Sequence, residues 1–487
     1  MRYLERLGSL VGRGYRAERG GAGSEGPAFP PDVGAVPSRE LELRIGATLM
    51  QEVRTHIEDF SRGEEAGFLV CSLTRCLDRD RLLAREFIPV PDRAIDRFGD
   101  GSVLSWSADF NSQALQRAVD LKATLVLVHS HGKTKPHFSC DDRGRELPLF
   151  ASFSRILDPL PTGTLVLGDY EAAGSFWSGG RNDIAFRRLV VVDDTQDVWH
   201  SSELQREPRP PRRRLDRQDG AIPGSDALLA DAVVGVVGLS GGGSHVVQQL
   251  AHIGIGKLLV VDHQIVEETN LGRLVGATEA DIEAGTPKTD IAERVATGID
   301  SSIRIVKVPH QFPSSQAIAT LKEADIIVTA VDTFRARDDV NRFCRRHLIP
   351  QIDIGMSIRT RDEKLTLAQG QVITSIPTVS SCLRCWFTDE RTLAAEELER
   401  PAGYDRDPDA PGDSQVVSMN GVLASEACNS VLDLLTGYSG GARGGKVWRY
   451  DGRQGVLEVG DPPSRRPGCD ACSEEGIGDG RYGHIGY

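Results

Sequence analysis

The chain has 487 residues, of which 39% are hydrophobic and 26% are charged, and its formal net charge at pH 7 is −13. This composition is that of a soluble globular protein with two or three domains, and the acidic balance excludes a general nucleic-acid-binding role. No apolar run approaches the roughly 20 residues of a membrane-spanning helix. The charged N-terminus is a poor secretory signal, and the nine cysteines include close pairs at zinc-ligand spacing, so we expect a cytoplasmic protein.

The N-terminal half is predicted to be a mixed α/β domain over residues 39–200, preceded by a Gly-, Arg- and Glu-rich arm over 1–38. Its apolar patterns predict, in chain order, a helix over 40–60, a strand over 67–72, a helix over 112–121 and strands over 124–128, 164–168 and 189–192.

A Pro/Arg-rich linker is predicted over 201–224, followed by a second domain over 225–475 and a tail over 476–487. The second domain opens with strand, Gly-rich turn, helix and strand, the start of a doubly wound α/β unit. The acidic segment 388–415 is predicted to be a loop.

His129 and His131 follow the strand over 124–128, and residues i and i+2 of an extended chain face the same side. Asp142 lies where the next loop enters a helix and offers an oxygen ligand. Two histidines, one aspartate and a water form an open zinc site of the catalytic kind. A general base that is not a ligand is also needed, for which Glu65 is the first candidate and Glu64 its rival.

The pattern His129-Ser130-His131, Ser139, Asp142 resembles the JAMM motif of the JAB/MPN metalloprotease family. The resemblance implies that these two histidines and Asp142 bind a catalytic zinc, that Glu65 is the base, and that Ser139 stabilises the tetrahedral oxyanion. It also implies cleavage after the C-terminal glycines of ubiquitin-like proteins. Gly132 departs from the proline that commonly follows the second histidine. A pair of histidines on a strand is, by itself, equally consistent with a structural role.

The strand over 232–237 leads into Gly238-Leu-Ser-Gly241-Gly-Gly243 and a helix over 244–252. Such glycines let backbone amides approach phosphates at a helix N-terminus. Asp262 ends the next strand, where an acidic residue binds a ribose hydroxyl. A dinucleotide-dependent dehydrogenase fits these features equally well.

The residues that follow Asp262 favour phosphoryl transfer over the hydride transfer of a dehydrogenase, because they supply cations and a carboxylate that can bind magnesium. Together with Arg217, the series resembles the ThiF/MoeB/E1 adenylyltransferase family over about residues 213–475. The resemblance implies phosphate binding by Gly238, Gly241 and Gly243, ribose binding by Asp262, triphosphate binding by Asn270, Arg273 and Lys288, and magnesium binding by Asp332. Arg217 would reach the partner's ATP site, which implies a homodimer.

Two departures from that family are Ser240 in place of a glycine and Gln264 in place of an acidic residue. A third is that residues 388–420 contain no cysteine to act as the nucleophile of a charging enzyme. Cys428 lies in an apolar helical stretch and is interpreted as a core residue. Cys344, on a helix beside Arg345 and Arg346, is the other candidate and is also interpreted as structural.

Two Cys-x-x-Cys pairs, Cys382/Cys385 and Cys469/Cys472, lie more than 80 residues apart. Either pair alone is also typical of a redox site. Four thiolates together predict a closed, structural zinc site that ties the C-terminal segment to the domain.

The sequence therefore predicts two enzyme domains in one ubiquitin-like protein pathway. The two resemblances imply that the C-terminal half adenylates the C-terminal glycine of a small β-grasp protein with MgATP, and that the zinc-dependent N-terminal half trims or removes the same protein. Fusion would raise the local concentration of the trimmed terminus near the ATP site. The fusion itself suggests a bacterial source.

Sulfur-carrier activation with a sulfurtransferase partner is an alternative to modification with a conjugating, E2-like partner. A non-enzymatic scaffold that binds a ubiquitin-like protein is a third hypothesis.

Overall fold

A computed structural model describes residues 39–58, 64–97, 103–132, 135–204, 210, 212–386, 414–441 and 443–479. The predicted arm over 1–38 and nearly all of the predicted loop over 388–415 lie outside these residues. Within the described part of the chain, no helix is long and apolar enough to cross a membrane.

The N-terminal half is a closed barrel with the strand order β1-β3-β2-β6-β7-β8-β10-β9. Its strands are β1 (Arg39–Gly46), β2 (Ala66–Arg75), β3 (Arg79–Pro89), β6 (Thr124–His129), β7 (Thr162–Leu167), β8 (Glu171–Ser178), β9 (Arg181–Val192) and β10 (Asp197–Ser201), with β4 (Ile95–Arg97) and β5 (Val103–Trp106) forming a separate hairpin. The helices are α1 (Ala47–Ile57), α2 (Ala108–Asp120) and α3 (Cys140–Ile156). Residues from α1 pack on one face of the barrel strands, and residues from α2 and α3 pack on the other.

The predicted helix over 40–60 is wrong in its first part, because residues 39–46 form β1. Leu41, Leu43 and Ile45 alternate with charged residues and all point into one core. That period of two is the pattern of a strand, and only from Ala47 does the chain turn into a helix.

The C-terminal half is an eight-stranded sheet with the order β13-β12-β11-β14-β15-β16-β17-β18. Its strands are β11 (Val233–Val237), β12 (Lys257–Val261), β13 (Arg304–Val308), β14 (Ile326–Thr329), β15 (Gln351–Arg361), β16 (Lys364–Ser375), β17 (Val447–Asp451) and β18 (Val456–Gly460). Strands β11 to β15 are paired in parallel, and the remaining three strands add antiparallel.

Helices of the C-terminal half connect and cover these strands. They are α4 (Asp216–Ala221), α5 (Ser225–Asp231), α6 (Gly241–Ile253), α7 (Glu279–Glu283), α8 (Lys288–Ile299), α9 (Ser315–Leu321), α10 (Phe334–Arg346), α11 (Leu383–Trp386), α12 (Val417–Thr436) and α13 (Asp470–Ser473). The described end of the predicted linker is ordered against this half: Leu215 is buried, and Arg212 pairs with Asp226 at 2.5 Å.

A buried ionic cluster joins the two halves. Glu42 on β1 is surrounded by four arginines of the N-terminal half: Arg44, Arg79, Arg81 and Arg188. From these, Arg44 and Arg188 also pair with Asp325, which precedes β14. The arginines hold the pKa of Glu42 well below its usual value, although burial alone would raise it. Removing one partner of such a cluster leaves buried charge uncompensated, which typically costs about 3–5 kcal/mol.

The contact lies at the amino ends of the parallel strands. Arg81 donates to the carbonyl of Lys322 and Arg44 donates to the carbonyls of Ala324 and Leu348, all of which precede β14 or β15. At the last described residue, the backbone N–H of Asp479 donates to the carbonyl of Leu73, and the Asp479 carboxylate accepts from the backbone N–H of Arg75. The two halves therefore form one packed body.

Candidate metal and nucleotide sites

His129 is the last residue of β6, and its side chain shares a face with Leu125 and Leu127, which pack against α2 and α3. His131 follows two residues later, with its ring centroid 5.1 Å from that of His129. The strand end therefore delivers both imidazoles toward the start of α3.

Asp142 is placed by the N-terminus of α3. The Ser139 hydroxyl accepts from the backbone N–H of Asp142 at 3.1 Å, and the Asp142 carboxylate accepts from the backbone N–H of Ser139 at 2.7 Å. This reciprocal capping box fixes the Asp142 carboxylate against both histidines. Its two oxygens lie 3.7 Å from His129 Nε2 and 3.3 Å from His131 Nε2.

The predicted ligands of the first site thus come together. One ligand atom from each of His129, His131 and Asp142 lies within 4.8 Å of the other two. Burial alone would raise the pKa of Asp142, but the two facing imidazoles and Ser139 lower it well below its usual range. The pKa of His129 is raised overall, because Asp142, Glu146 and Glu64 outweigh the effect of its burial.

The two glutamates before β2 lie in different surroundings. Ala66 is the register partner of His129, so alternation along the extended chain places Glu64 on the His129 face and Glu65 on the other. The Glu65 carboxylate lies 3.9 Å from His56 Nε2 on α1. Glu64 instead contributes to the raised pKa of His129. The first-choice base, Glu65, therefore lies beside His56, and its rival Glu64 lies near enough to His129 to act on the pKa of that residue.

The loop after His131 leaves the strand through Gly132, whose φ is +77°. Proline is locked near −65°, so the proline of the resembled motif does not fit this turn. His137 lies beside the cluster, with its ring 5.5 Å from that of His131, but its Nδ1 is 2.9 Å from the Lys135 carbonyl oxygen. It is not one of the three clustered donors.

The glycine turn of the second half joins β11 to α6. A Cβ on Gly243 would lie 1.8 Å from the carbonyl oxygen of Gly238, and one on Gly238 would lie 2.6 Å from that of Ala330. A Cβ on Gly241 would meet the amide nitrogen of Asn420 at 2.4 Å. Close approach of backbone thus requires glycine at positions 238 and 243, and a side chain at position 241 would have to displace that of Asn420. A tight turn that leads into a helix N-terminus is the arrangement in which backbone N–H groups bind an anion.

Asp262, at the end of β12, supports this turn. Its carboxylate accepts from the backbone N–H groups of Leu239 at 2.8 Å and Gln264 at 2.9 Å. Gln264, where the family usually has an acidic residue, accepts from Lys288 Nζ at 2.6 Å. Lys288 is only 2% exposed, and its burial lowers its pKa, with Asp262 and Asp332 acting in the opposite direction.

The other predicted residues lie around the turn in different ways. Arg273 Nε is 3.4 Å from the Ser240 hydroxyl, so the residue that replaces a glycine contacts the predicted phosphate-binding arginine. Asp332 is exposed just beyond β14, close enough to Lys288 to act on its pKa. Asn270 is fully buried and accepts from the backbone N–H of Glu267. Arg217 is exposed on α4.

Asn420 at the start of α12 is a residue that sequence reasoning missed. It is 4% exposed, touches Gly241, and donates to Gln415 at 3.0 Å. Its only sequence signal is an isolated polar residue at the beginning of an apolar helix.

The four cysteines also converge. Sγ–Sγ distances are 3.7 Å for Cys382–Cys385, 3.5 Å for Cys382–Cys469 and 3.7 Å for Cys385–Cys472. Thiolates at 2.3 Å from one zinc would be about 3.8 Å apart in a tetrahedron, so the donor set fits that ion. Cys428 and Cys344 are each 1% exposed, and burial raises the pKa of both thiols, as expected for core residues.

Comparison with known proteins matches the second half of the chain. The family model described as "ThiF family" covers residues 221–471. The SAMP-activating enzyme E1 of Haloferax volcanii is 29% identical over 262 residues, which are 52% of this chain and 84% of that protein. The molybdopterin-synthase adenylyltransferase of Escherichia coli is 27% identical over 50% of this chain and 89% of that protein.

A third relative is longer than the matched region. The adenylyltransferase and sulfurtransferase MOCS3 of Dictyostelium discoideum is 25% identical over 54% of this chain, which spans 56% of that protein. Among solved structures, E. coli MccB with ATP has a TM-score of 0.42 and 23% identity, covering 51% of this chain and 68% of that chain.

Proposed function

The chain belongs to the ThiF family, and from that premise we propose that its C-terminal half adenylates the C-terminal carboxylate of a small ubiquitin-like or sulfur-carrier protein. The observation that carries this proposal is the glycine turn, where Gly238, Gly241 and Gly243 have no room for a Cβ and Asp262 holds the adjacent backbone. The names of the relatives, a SAMP-activating enzyme and a molybdopterin-synthase adenylyltransferase, support this substrate class.

In the proposed reaction a carboxylate oxygen of the carrier protein attacks the α-phosphorus of ATP. A new P–O bond forms, the bond to the β-phosphate oxygen breaks, and pyrophosphate leaves. Lys288 and Arg273 would stabilise the negative charge that develops, and the exposed Asp332 would hold magnesium. Asn270, fully buried and bonded to Glu267, would act on the triphosphate only through the backbone it positions.

The test is MgATP binding by titration calorimetry, followed by ATP–pyrophosphate exchange with small β-grasp proteins that end in glycine. We expect Lys288→Ala to weaken MgATP binding at least tenfold, about 1.4 kcal/mol. Lys307→Ala is the matched control, because Lys307 pairs with Asp290 and Glu293 on the surface. A wild-type chain that binds no MgATP would refute the proposal. If the chain binds MgATP but catalyses no ATP–pyrophosphate exchange with any of these β-grasp proteins, the result would favour the scaffold hypothesis.

A second function, zinc-dependent hydrolysis by the N-terminal half, is favoured by the convergence of His129, His131 and Asp142. Two imidazoles and one carboxylate are a donor set suited to catalytic zinc. Held there, zinc would supply a Lewis acid that activates water and polarises a carbonyl. The proposed substrate bond lies after the C-terminal glycine of the same ubiquitin-like protein, as in the JAB/MPN proteases that the motif resembles.

The protein residues have separable tasks in this hydrolysis. Glu64, rather than Glu65, would take the proton of the attacking water and give it to the leaving amine. Ser139 holds Asp142 through the capping box, and its hydroxyl proton would be free to stabilise the oxyanion.

Elemental mass spectrometry tests both zinc sites without a substrate. We expect two zincs per chain in the wild type, one in His129→Ala, and two in the control His137→Ala. A wild type with one zinc that is unchanged in His129→Ala would refute the metal site of the N-terminal half.

Homodimer formation, with Arg217 acting in the partner's site, and a conjugating or sulfurtransferase partner remain parts of the same proposal. Sedimentation of the intact chain tests the first of these. Loss of ATP–pyrophosphate exchange in Arg217→Ala, restored by mixing with Asp332→Ala chains, is the expected sign of a shared site.

A further inference from the structure

Helix α3 places a second carboxylate beside the His129 cluster. Asp142 and Glu146 are at positions i and i+4, so they lie on the same face of the helix, one turn apart. Glu146 is only 8% exposed. Thr164 on β7 is also buried and lies on the same face of the barrel strands as the His129 cluster. Within the described part of the chain, the ion pair of Glu146 is with His129 and not with a lysine or arginine, and a buried carboxylate is costly unless it has a polar partner.

The imidazole of His129 is bracketed by the two carboxylates. Its Nε2 lies 3.7 Å from Asp142 Oδ1, and its Nδ1 lies 3.7 Å from Glu146 Oε1. Both ring nitrogens are buried, and among the described residues neither has a partner at hydrogen-bond distance. The ring thus has one nitrogen facing the predicted ligands and the opposite nitrogen facing Glu146.

A neutral imidazole that binds a cation through one nitrogen carries its proton on the other. Metal-binding histidines almost always donate that N–H to a carboxylate or carbonyl, which fixes the tautomer and the orientation of the ring. Closing the 3.7 Å separation to a charge-assisted hydrogen bond of about 2.8 Å requires a movement of about 1 Å.

We propose that Glu146 is the positioning residue for His129: its carboxylate accepts the Nδ1–H and thereby presents Nε2 to the cation held with His131 and Asp142. This proposal rests on the proposed metal site of the N-terminal half. It assigns Glu146 no contact with the cation, since the three clustered donors are His129, His131 and Asp142.

The test uses the full chain with its four-cysteine site filled by one equivalent of Zn²⁺. Co²⁺ is then titrated into the second site, followed by its d–d absorption bands, and Zn²⁺ affinity is measured by competition with a chelator. We expect Glu146→Gln and Glu146→Ala to weaken Zn²⁺ binding by 10- to 100-fold, with the smaller loss for Gln, because Gln keeps an acceptor oxygen. The cobalt bands should shift in both variants.

Ser154→Ala is the matched control. Ser154 is a buried polar residue on the same helix, and its hydroxyl accepts from the backbone N–H of Gly180 without touching His129. We expect it to lower the melting temperature but to leave Zn²⁺ affinity and the cobalt bands unchanged. Unchanged affinity and bands in Glu146→Ala would overturn the role of Glu146. A wild type that binds no second cation would refute the proposed metal site instead.

Discussion

The two candidate sites of this chain are built from different parts of the polypeptide. The His129 cluster is made of side chains that a strand end and a helix N-terminus bring within 4.8 Å of each other. The glycine turn is made of backbone, with side chains excluded at Gly238, Gly241 and Gly243. A side-chain site should fail when one functional group is exchanged at constant volume, whereas a backbone site should fail when volume is added without any change of charge.

The largest expected effect is a difference between alanine substitutions at two neighbouring glycines, Gly242 and Gly243. Gly243→Ala would place a Cβ 1.8 Å from a carbonyl oxygen, whereas at Gly242 the nearest atom is the Ala330 Cβ at 3.6 Å. We expect Gly243→Ala to abolish MgATP binding and to lower the free energy of unfolding by about 1–3 kcal/mol or more. Gly242→Ala should bind MgATP as the wild type does. Calorimetry and thermal unfolding measure both, and equal behaviour of the two variants would contradict a backbone site.

The next largest expected effect is a difference in hydrolysis between glutamine substitutions at two neighbouring glutamates, Glu64 and Glu65. Glu64→Gln keeps the volume and removes the proposed base, so we expect hydrolysis to fall by about 10²- to 10⁴-fold. Glu65→Gln, on the His56 side of β2, should retain most of the activity. The measurement is the release of a fluorophore joined to the C-terminal glycine of a ubiquitin-like protein. Both variants should keep two zincs. Loss of activity in Glu65→Gln alone would restore Glu65 as the base.

The smallest expected effect is a difference in Zn²⁺ binding between alanine substitutions at two N-cap serines of the N-terminal half, Ser107 and Ser139. Ser107 caps α2 and Ser139 caps α3, and replacing either by alanine should cost about 1 kcal/mol of unfolding free energy. Of these two serines, only Ser139 is in a capping box with Asp142, the proposed ligand. We therefore expect Ser139→Ala, and not Ser107→Ala, to weaken the binding of the second Zn²⁺. If both variants bind it equally well, the capping box does not position Asp142.

The glycine turn could be located from sequence because close backbone approach demands glycine itself, and the structure keeps Gly238, Gly241 and Gly243 together at one strand end. His129, His131 and Asp142 could be predicted because their spacing follows from strand alternation and a helix start. The sequence could not predict which of Glu64 and Glu65 lies on the His129 face. A shift of one residue in strand register exchanges the two faces, and that register is set by the pairing of Ala66 with His129.

Long-range contacts account for the remaining differences. The segment 39–46 is a strand because it pairs with β3 and β9, strands that come later in the chain. The sequence shows that Glu146 lies at position i+4 from Asp142 and therefore on the same face of a helix. It does not show that Glu146 faces the ring of His129, because that depends on how β6 packs against α3. Asn420 reaches the glycine turn from α12, far along the sequence, and a polar residue at the start of an apolar helix does not reveal that contact.

The ionic cluster around Glu42 also determines on which side of each half the candidate site lies. It lies at the amino ends of the parallel strands, whereas Gly238 and Asp332 follow their carboxyl ends. In the barrel, the contact residue Thr74 and Ala66, the partner of His129, are at opposite ends of β2. Each candidate site therefore lies about one strand length from the contact between the halves, on the side of its own half that faces away from that contact. A carrier protein bound at one of the proposed sites would have to pass the contact to reach the other.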